Sequence, residues 1–234
     1  MDDKEVILQI ERELWKKGYD LVAGIDEAGR GPLAGPVVAA VVIFPKNVNP
    51  FLFCDSKKLS EKRRKELFYR IYREALAVGV GFADSEEIDK INIYRATVLA
   101  VERALSSLPV EPDFLITDYI KIPKMSDSIL AIPKGDERSF SCACASVVAK
   151  VVRDYIMEDL SRFFPEYGFE RHKGYPTKLH ISKIEELGIT PIHRRSFGRV
   201  KGKGDKGRRD SFPLSCEERL LYYREKLQEL LRRN

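Results

Sequence analysis

Residues 21–44 read LVAGIDEAGRGPLAGPVVAAVVIF, and the fold expected for the chain starts from this stretch. Two apolar runs, 21–26 and 36–44, have the small and β-branched composition of buried core strands. Asp26 and Glu27 end the first run. Adjacent carboxylates at a buried strand end are costly unless a cation or a hydrogen-bond donor compensates them. A divalent cation there is one explanation, and a solvated turn is the alternative.

Hydrophobic spacing in the rest of the chain predicts further elements of both kinds. Helices are predicted over residues 1–17, 60–76, 92–108 and 139–163, and strands over 78–84, 113–118 and 128–132. Strands that alternate with helices predict an α/β fold with a mixed five-stranded sheet and helices on both faces. A chain of 234 residues with 44% hydrophobic composition can bury the core of one such domain.

The C-terminal part of the chain differs in composition. Residues 199–210 hold six Lys or Arg against two Asp, which is +4 of the formal net charge of +5. We therefore predict a catalytic domain over 1–198, a basic linker over 199–214 and a C-terminal helix over 215–234 that packs on the main domain, with a partner interface as the alternative. Only this segment favours an anionic partner such as nucleic acid, because the remaining sequence is nearly neutral.

Cellular location is predicted from what the sequence lacks. No window reaches the roughly 18 uninterrupted apolar residues of a membrane span, and residues 1–5 are charged where a signal peptide would turn apolar. We predict a cytoplasmic monomer that does not bind membranes. The cysteines lack C-x-x-C spacing, which argues against a disulfide or zinc role; they are Cys54, Cys142, Cys144 and Cys216.

Two further acids stand at predicted strand ends. Asp118 closes the run 114–117, and Asp136 follows the next strand after Pro133-Lys134-Gly135. Four carboxylates at the ends of neighbouring strands can hold two hard cations such as Mg²⁺ or Mn²⁺. Two metals about 3.5–4 Å apart suit in-line phosphoryl displacement, because they stabilise the attacking and leaving oxygens.

The turn after the acid pair has the composition of a ligand-binding loop. Gly29 and Gly31 let the backbone come close to a ligand, and Arg30 between them is a donor. The spacing matches neither a P-loop nor a dinucleotide-binding fingerprint. The three histidines lack a metal-ligand or triad pattern, which disfavours a histidine-based nuclease mechanism.

Seven segments in matching order resemble the bacterial ribonuclease HII family. They are DEAGRGPLAGPV at 26–37, DSKKLS at 55–60, ITDY at 116–119, PKGD at 133–136, CASVVAKVVRD at 144–154, KGYPTKLH at 173–180 and HRRSF at 193–197. The likeness runs from about residue 21 to 199, well over half the chain. It implies a ribonuclease H-like fold and puts the catalytic and metal-binding acids at Asp26, Glu27, Asp118 and Asp136.

The resemblance also implies how substrate is bound. Gly29, Arg30 and Gly31 would contact the junction between a ribonucleotide and the following deoxynucleotide, and Tyr175 would pack against the 3′ deoxyribose. The 2′-hydroxyl is the group that distinguishes a lone ribonucleotide from DNA, and the backbone of a glycine turn can approach it. Further substrate contacts are predicted at Lys57, Ser146 and Lys150.

The resulting hypothesis is a metal-dependent endoribonuclease of RNA-DNA hybrids. It would also cut 5′ to single ribonucleotides in duplex DNA by a two-metal mechanism, leaving a 3′-hydroxyl and a 5′-phosphate. The alternatives are a non-catalytic nucleic-acid-binding module and a phosphoryl-transfer enzyme of small molecules. Carboxylates repel phosphate unless a metal intervenes, which argues against the binding module. The related ribonuclease HIII type carries an extra N-terminal domain and lacks the glycine-arginine-glycine turn, so with only 25 residues before Asp26 we expect the HII type.

Overall fold

A computed structural model describes residues 7–51, 59–120, 122, 128–204 and 214–233. The strands are β1 (Val22–Ala28), β2 (Val37–Ile43), β3 (Ala77–Ala83), β4 (Phe114–Asp118) and β5 (Ile129–Ile132). The helices are α1 (Gln9–Lys16), α2 (Glu61–Glu74), α3 (Ser85–Ser106), α4 (Gly135–Arg138), α5 (Phe140–Leu160), α6 (Phe169–His172), α7 (Lys178–Leu187) and α8 (Cys216–Leu231). A short 3₁₀ helix, Pro165–Tyr167, precedes α6.

The strands form one five-stranded sheet in the order β3-β2-β1-β4-β5. β1 pairs in parallel with β4, and β4 pairs in parallel with β5. The predicted mixed α/β sheet is confirmed. The register aligns Ile25 with Thr117, so the next residues of the two strands are the acids Asp26 and Asp118. A sheet of parallel central strands thus carries carboxylates from two strands to one edge.

Close packing between β1 and α5 explains the small residues at the start of that helix. A Cβ added to Gly24 would lie 2.2 Å from the carbonyl carbon of Ser141, so only glycine fits at this point of the strand. Cys142 and Cys144 are fully buried free thiols, and Cys54 lies outside the described residues. The approach brings the buried side of α5, including Ser146, towards the strand end.

Helix α3 begins earlier than expected. The sequence predicted a helix that starts at Asn92, whereas the structure has one helical element from Ser85 with a kink at Asn92, where φ is 68°. Asn92 does cap the second part, because its Oδ1 accepts a hydrogen bond from the amide of Arg95 at 3.1 Å. The prediction placed the helix start at this residue and missed the turns before it, because a kinked helix carries a local start signal inside it.

The structure divides into two compact units. The first consists of Met1–Ala28, Ala39–Gly81 and Val98–Val151, and the second of Gly29–Val38, Phe82–Thr97 and Val152–Asn234. The first unit therefore contains all four predicted metal-binding acids. The second contains the Gly29–Gly31 turn and Tyr175.

Helix α8 packs within the second unit. It opens with a capping box, in which Ser215 accepts from the Glu218 amide and the Glu218 side chain accepts from the Ser215 amide. Arg219 and Tyr223 both donate to the fully buried carboxylate of Asp84, at 2.8 and 2.9 Å. Val200, which the predicted linker includes, is also buried. Within the described residues, no helix is both long enough and apolar enough to span a membrane.

Candidate active site

β1 carries the acid pair near its C-terminal end. The strand runs past the pair to Ala28, two residues further than the sequence indicated. Successive side chains in a strand point to opposite faces, and accordingly Asp26 is 5% exposed while Glu27 is half-buried. The Asp26 Oδ1 accepts a hydrogen bond from the Glu27 amide at 2.8 Å. Asp26 is therefore the deeply buried carboxylate of the pair.

Asp118 ends β4 and is held by the turn that follows β5. The amide of Gly135 donates to Asp118 Oδ1 at 3.1 Å. A Cβ on Gly135 would lie 3.2 Å from the Cα of Asp118, tighter than most Cβ contacts, which explains the glycine in the PKGD segment. Asp136 follows in the first turn of α4 and is only 2% exposed. The two acids thus belong to one tightly packed corner of the first unit.

The charge on Asp26 is unfavourable in this surrounding. Burial raises the pKa of Asp26 well above its usual range, and the neighbouring charges of Glu27 and Asp118 raise it further. Hydrogen bonds from the Ser146 side chain and the Glu27 amide oppose this rise. A buried carboxylate beside like charges is stabilised by a compensating cation.

These acids fit a hard divalent cation by their chemistry, since Mg²⁺ and Mn²⁺ prefer carboxylate oxygens. In the part of the chain that the structure describes, no group of three or more His, Cys, Asp or Glu side chains lies close enough to hold a metal ion.

The glycine-arginine-glycine turn uses its two glycines for different purposes. Gly29 has a φ of +99°, and a Cβ there would lie 2.1 Å from Nε of the buried Arg153, so the fold itself requires glycine. Gly31 is exposed, and the nearest atom to an added Cβ would be Cε1 of Tyr175 at 3.8 Å, an ordinary contact. Packing in the described structure therefore does not require a glycine at position 31. Arg30 between them is exposed.

Tyr175 lies on the same surface as Gly31, and its backbone is held on both sides. Its amide donates to the carbonyl of His172 at 2.8 Å, and its carbonyl accepts from Nδ1 of His180 at 2.9 Å. The ring is 39% exposed, and the guanidinium of Arg153 lies 5.7 Å from its centroid. The structure therefore brings together the predicted substrate-binding turn and the predicted aromatic residue.

The three histidines are buried and adjacent: His180 and His193 are hydrogen-bonded to each other, and the ring of His172 stacks on that of His180 at 4.4 Å. His193 Nδ1 accepts from the amide of Thr190, so its Nε2 donates to Nε2 of His180 at 3.0 Å. His180 then donates from Nδ1 to Tyr175, and burial lowers the pKa of His180 to about 4 and that of His193 to about 3. These side chains are neutral scaffold groups that hold the Tyr175 loop.

Residues 23–200 match the family described as Ribonuclease HII. The chain belongs to the ribonuclease HII family. It is 52% identical over 197 residues to the ribonuclease HII of Aquifex aeolicus (strain VF5). The alignment covers 84% of this chain and 99% of that protein. It is 53% identical over 193 residues to the ribonuclease HII of Clostridioides difficile (strain 630), and that alignment covers 82% of this chain and 76% of that protein.

A solved structure of ribonuclease H2 from Pyrococcus horikoshii OT3 is similar, with a TM-score of 0.63 and 27% identity over 77% of this chain and 95% of that one. Family membership makes the chain a ribonuclease H, a hydrolase that acts as an endoribonuclease on RNA-DNA hybrids. The ribonuclease HII family depends on divalent metal ions. The non-catalytic and small-molecule alternatives are excluded.

The remaining predicted substrate contacts have different outcomes. Lys57 lies outside the described residues. Ser146 is 7% exposed and hydrogen-bonds Asp26, and Lys150 follows it on α5, half-buried. Ser146 therefore orients an acid in this structure, a contact that the sequence did not predict.

Two buried arginines beneath the turn were missed. Arg153 and Arg194 are 1% and 0% exposed. Both stand inside segments that matched the family, yet nothing in the local pattern separates a buried arginine from an exposed one. Their partners are backbone carbonyls far away in the chain.

Proposed function

We propose that this protein cuts the RNA strand 5′ to a ribonucleotide that is followed by a deoxyribonucleotide, including a single ribonucleotide in duplex DNA. The observation that carries the proposal is the position of Gly31 beside Tyr175. Gly31 has neither a left-handed φ nor a close neighbour that requires glycine. A bare backbone beside a partly exposed ring suits the close approach of a sugar. The proposed role is the removal of ribonucleotides during DNA replication and repair.

In this proposal the four acids have distinct tasks. Asp26, Glu27, Asp118 and Asp136 bind two divalent ions, Mg²⁺ or Mn²⁺. When bound, such ions activate a water molecule and stabilise the leaving oxygen, giving a 5′-phosphate and a 3′-hydroxyl. Ser146 holds the Asp26 carboxylate from one side, and the Gly135 amide holds Asp118. These contacts keep two ligand groups in place before substrate binds.

The turn and the ring read the substrate. The backbone of Gly29, Arg30 and Gly31 contacts the ribonucleotide and its phosphate, and Tyr175 packs against the next sugar. A ring in van der Waals contact with that sugar leaves no space for a 2′-hydroxyl, so a deoxyribose is preferred there. Lys57, Ser146 and Lys150 are proposed to contact the strand near the scissile phosphate.

A cleavage assay tests this function. Three duplexes of one sequence are compared: DNA with one embedded ribonucleotide, a uniform RNA-DNA hybrid and all-DNA, each with and without Mg²⁺ or Mn²⁺. We expect metal-dependent cutting 5′ to the single ribonucleotide, slower cutting of the uniform hybrid and none of DNA. Cleavage of the hybrid alone would leave the family activity intact and overturn the proposed specificity.

A further inference from the structure

Arg194 is fully buried against the turn that contains Gly29 and Gly31. Its guanidinium makes five hydrogen bonds to four main-chain carbonyl oxygens: Gly29 at 2.6 Å, Arg30 at 3.1 Å, Pro32 at 2.8 Å and Gly35 at 3.0 and 2.9 Å. The Arg194 amide also donates to the Leu33 carbonyl at 2.8 Å. One side chain therefore fixes the direction of four carbonyls between residues 29 and 35.

The direction of these carbonyls determines where the amide groups point. In a trans peptide the C=O and N–H bonds are opposed, and no cis peptide occurs among the described residues. The Gly29 and Arg30 carbonyls point to the guanidinium, so the following amides, of Arg30 and Gly31, point away from it. Successive amides turned to one side form an anion-binding concavity.

The same geometry recurs at the Pro32–Leu33 peptide, since Pro32 itself has no N–H. The Pro32 carbonyl also points to Arg194, and the Leu33 amide behind it donates away from the guanidinium, to the Gly174 carbonyl at 2.8 Å. Gly174 directly precedes Tyr175. The turn held by Arg194 is thereby linked through one hydrogen bond to the loop that carries the ring.

Arginine is suited to this task because its planar group offers five donors in a fixed fork. Burial, together with the nearby charge of Arg153, lowers the pKa of Arg194 to about 9, so the group stays charged at neutral pH. A lysine would keep the charge but has three donors on one nitrogen. It cannot reach four carbonyls spread over residues 29–35.

We propose that Arg194 is a positioning residue for junction recognition: it turns the Arg30 and Gly31 amides towards the sugar-phosphate backbone of the bound strand. The proposal rests on the proposed function, because it assigns a cause to the turn's substrate-reading geometry. Arg194 does not touch substrate itself. It acts through the peptide groups of the turn.

Asp89 supports the segment that carries Arg194. Its carboxylate accepts from the Arg195 amide at 2.8 Å, the Ser196 amide at 2.9 Å and the Ser196 hydroxyl at 2.6 Å. These contacts fix the backbone that follows Arg194. Asp89 lies half-buried at the surface, so its replacement disturbs the segment without opening the core.

The test compares cleavage rates of R194K on the single-ribonucleotide duplex and on the uniform RNA-DNA hybrid. The ratio of the two rates does not depend on how much of the enzyme is folded, so a purely structural role would leave it unchanged. We expect the ratio to fall roughly tenfold, which corresponds to about 1.4 kcal/mol of transition-state discrimination. R195K is the matched control, because it makes the same chemical change at the exposed neighbouring residue and should keep the wild-type ratio.

D89A provides a second variant and should lower the ratio in the same direction by a smaller factor. If R194K does not fold, D89A decides, and an unchanged ratio in D89A then overturns the proposal. Tyr175→Ala distinguishes a failure of the Arg194 proposal from a failure of the proposed recognition function. A ratio that changes in Tyr175→Ala but not in R194K overturns the role of Arg194 alone, while a ratio unchanged in both overturns the proposed recognition function.

Discussion

The backbone of Gly31 lies beside the ring of Tyr175, so that a Cβ built on Gly31 would be 3.8 Å from Cε1 of the ring. A methyl group fits there in the free protein, which makes Gly31→Ala a cleaner probe of substrate approach than Gly29→Ala. At Gly29 the methyl group would collide with Arg153 and with the Pro36 carbonyl, so a loss of activity would report the fold. The two glycines therefore call for different experiments.

For Gly31→Ala we expect a free energy of unfolding within about 0.5 kcal/mol of wild type. Cleavage of the single-ribonucleotide duplex should fall by roughly tenfold or more, because the methyl group occupies space that the strand needs. Gly198→Ala is the control, since a Cβ added at Gly198 would meet no atom within 4 Å. Denaturant melts and initial rates give the two readouts. Wild-type rates in Gly31→Ala would show that the strand does not approach this backbone.

Replacement of Tyr175 tests the ring alone. Its backbone bonds to His172 and His180 do not involve the ring, so Tyr175→Ala should keep the loop in place. Loss of packing worth on the order of 1–3 kcal/mol should slow cleavage and reduce the preference for a single ribonucleotide over a uniform hybrid. Tyr175→Phe keeps the ring and should retain most of the preference. A preference that survives in Tyr175→Ala would contradict the role of the ring.

Asp118→Asn removes a charge at the strand end and keeps the side-chain size. We expect cleavage to fall by roughly a hundredfold or more, because a carboxylate ligand is lost. Stability should stay equal or rise, because the charge of Asp118 raises the pKa of the buried Asp26. Glu111→Gln, exposed before the other end of β4, is the charge-matched control.

The Asp118 variant also has a readout without cleavage. Added Mn²⁺ should raise the melting temperature of wild type and of Glu111→Gln more than that of Asp118→Asn, because a ligand stabilises the state that binds it. Activity in Asp118→Asn within about tenfold of wild type, a difference of ~1.4 kcal/mol, would remove Asp118 from the catalytic set.

Stability should fall in acid because of the histidine group. The pKa of an unfolded histidine is about 6.5, whereas burial lowers it to about 4 for His180 and about 3 for His193. Above pH 6.5 these side chains are neutral in both states and their contribution is complete. Below it the unfolded chain binds protons first, so the contribution is lost as the pH falls towards 4 and 3.

Denaturant melts of wild type and His193→Asn between pH 7.5 and 4.5 measure this contribution. We expect the free energy of unfolding to depend less steeply on pH in the variant, because one titrating group is gone. Both proteins have the same carboxyl groups, so the contribution of these groups to the pH dependence cancels in the comparison. Equal slopes in the two proteins would show that His193 does not titrate in this window.

The basic segment is best tested by charge removal instead of truncation. Deleting all residues after Val200 would also remove Arg219 and Tyr223 from the buried Asp84 carboxylate, and an unpaired buried charge destabilises a fold by several kcal/mol. Replacement of Lys206, Arg208 and Arg209 by Gln should instead weaken binding to nucleic acid. The slope of the logarithm of the binding constant against the logarithm of the salt concentration should become shallower by about 2–3, if each residue contacts a phosphate. The cut position should not move.

Replacement of Arg224 and Arg232, both exposed on or just after α8, controls for a general loss of positive charge. It should change the salt slope less than the change in residues 206–209. A shift of the cut position in the linker variant would contradict this expectation. It would show that the basic segment contributes to specificity and does more than bind phosphate.

Sequence alone predicted the sheet, and the places of two acids at its strand ends, because these signals are local. Short apolar runs rich in β-branched residues marked the five strands within a few residues, and the carboxylates Asp26 and Asp118 stand at the ends of two of those runs. The resemblance to ribonuclease HII added Tyr175. Asn92 shows the limit of local reasoning, because a cap residue inside a kinked helix has the same pattern as one at a helix start.

Only the tertiary structure decided what holds the turn. Arg194 and Gly29 are 165 residues apart in the chain, and their hydrogen bond depends on how distant segments pack. The same applies to Gly29 and Gly31, which look equivalent in the sequence. The first lacks a side chain because the fold has no room for one, while the second has room beside Tyr175. Local patterns specify which elements form, whereas burial and long-range hydrogen bonds specify which residues orient the site.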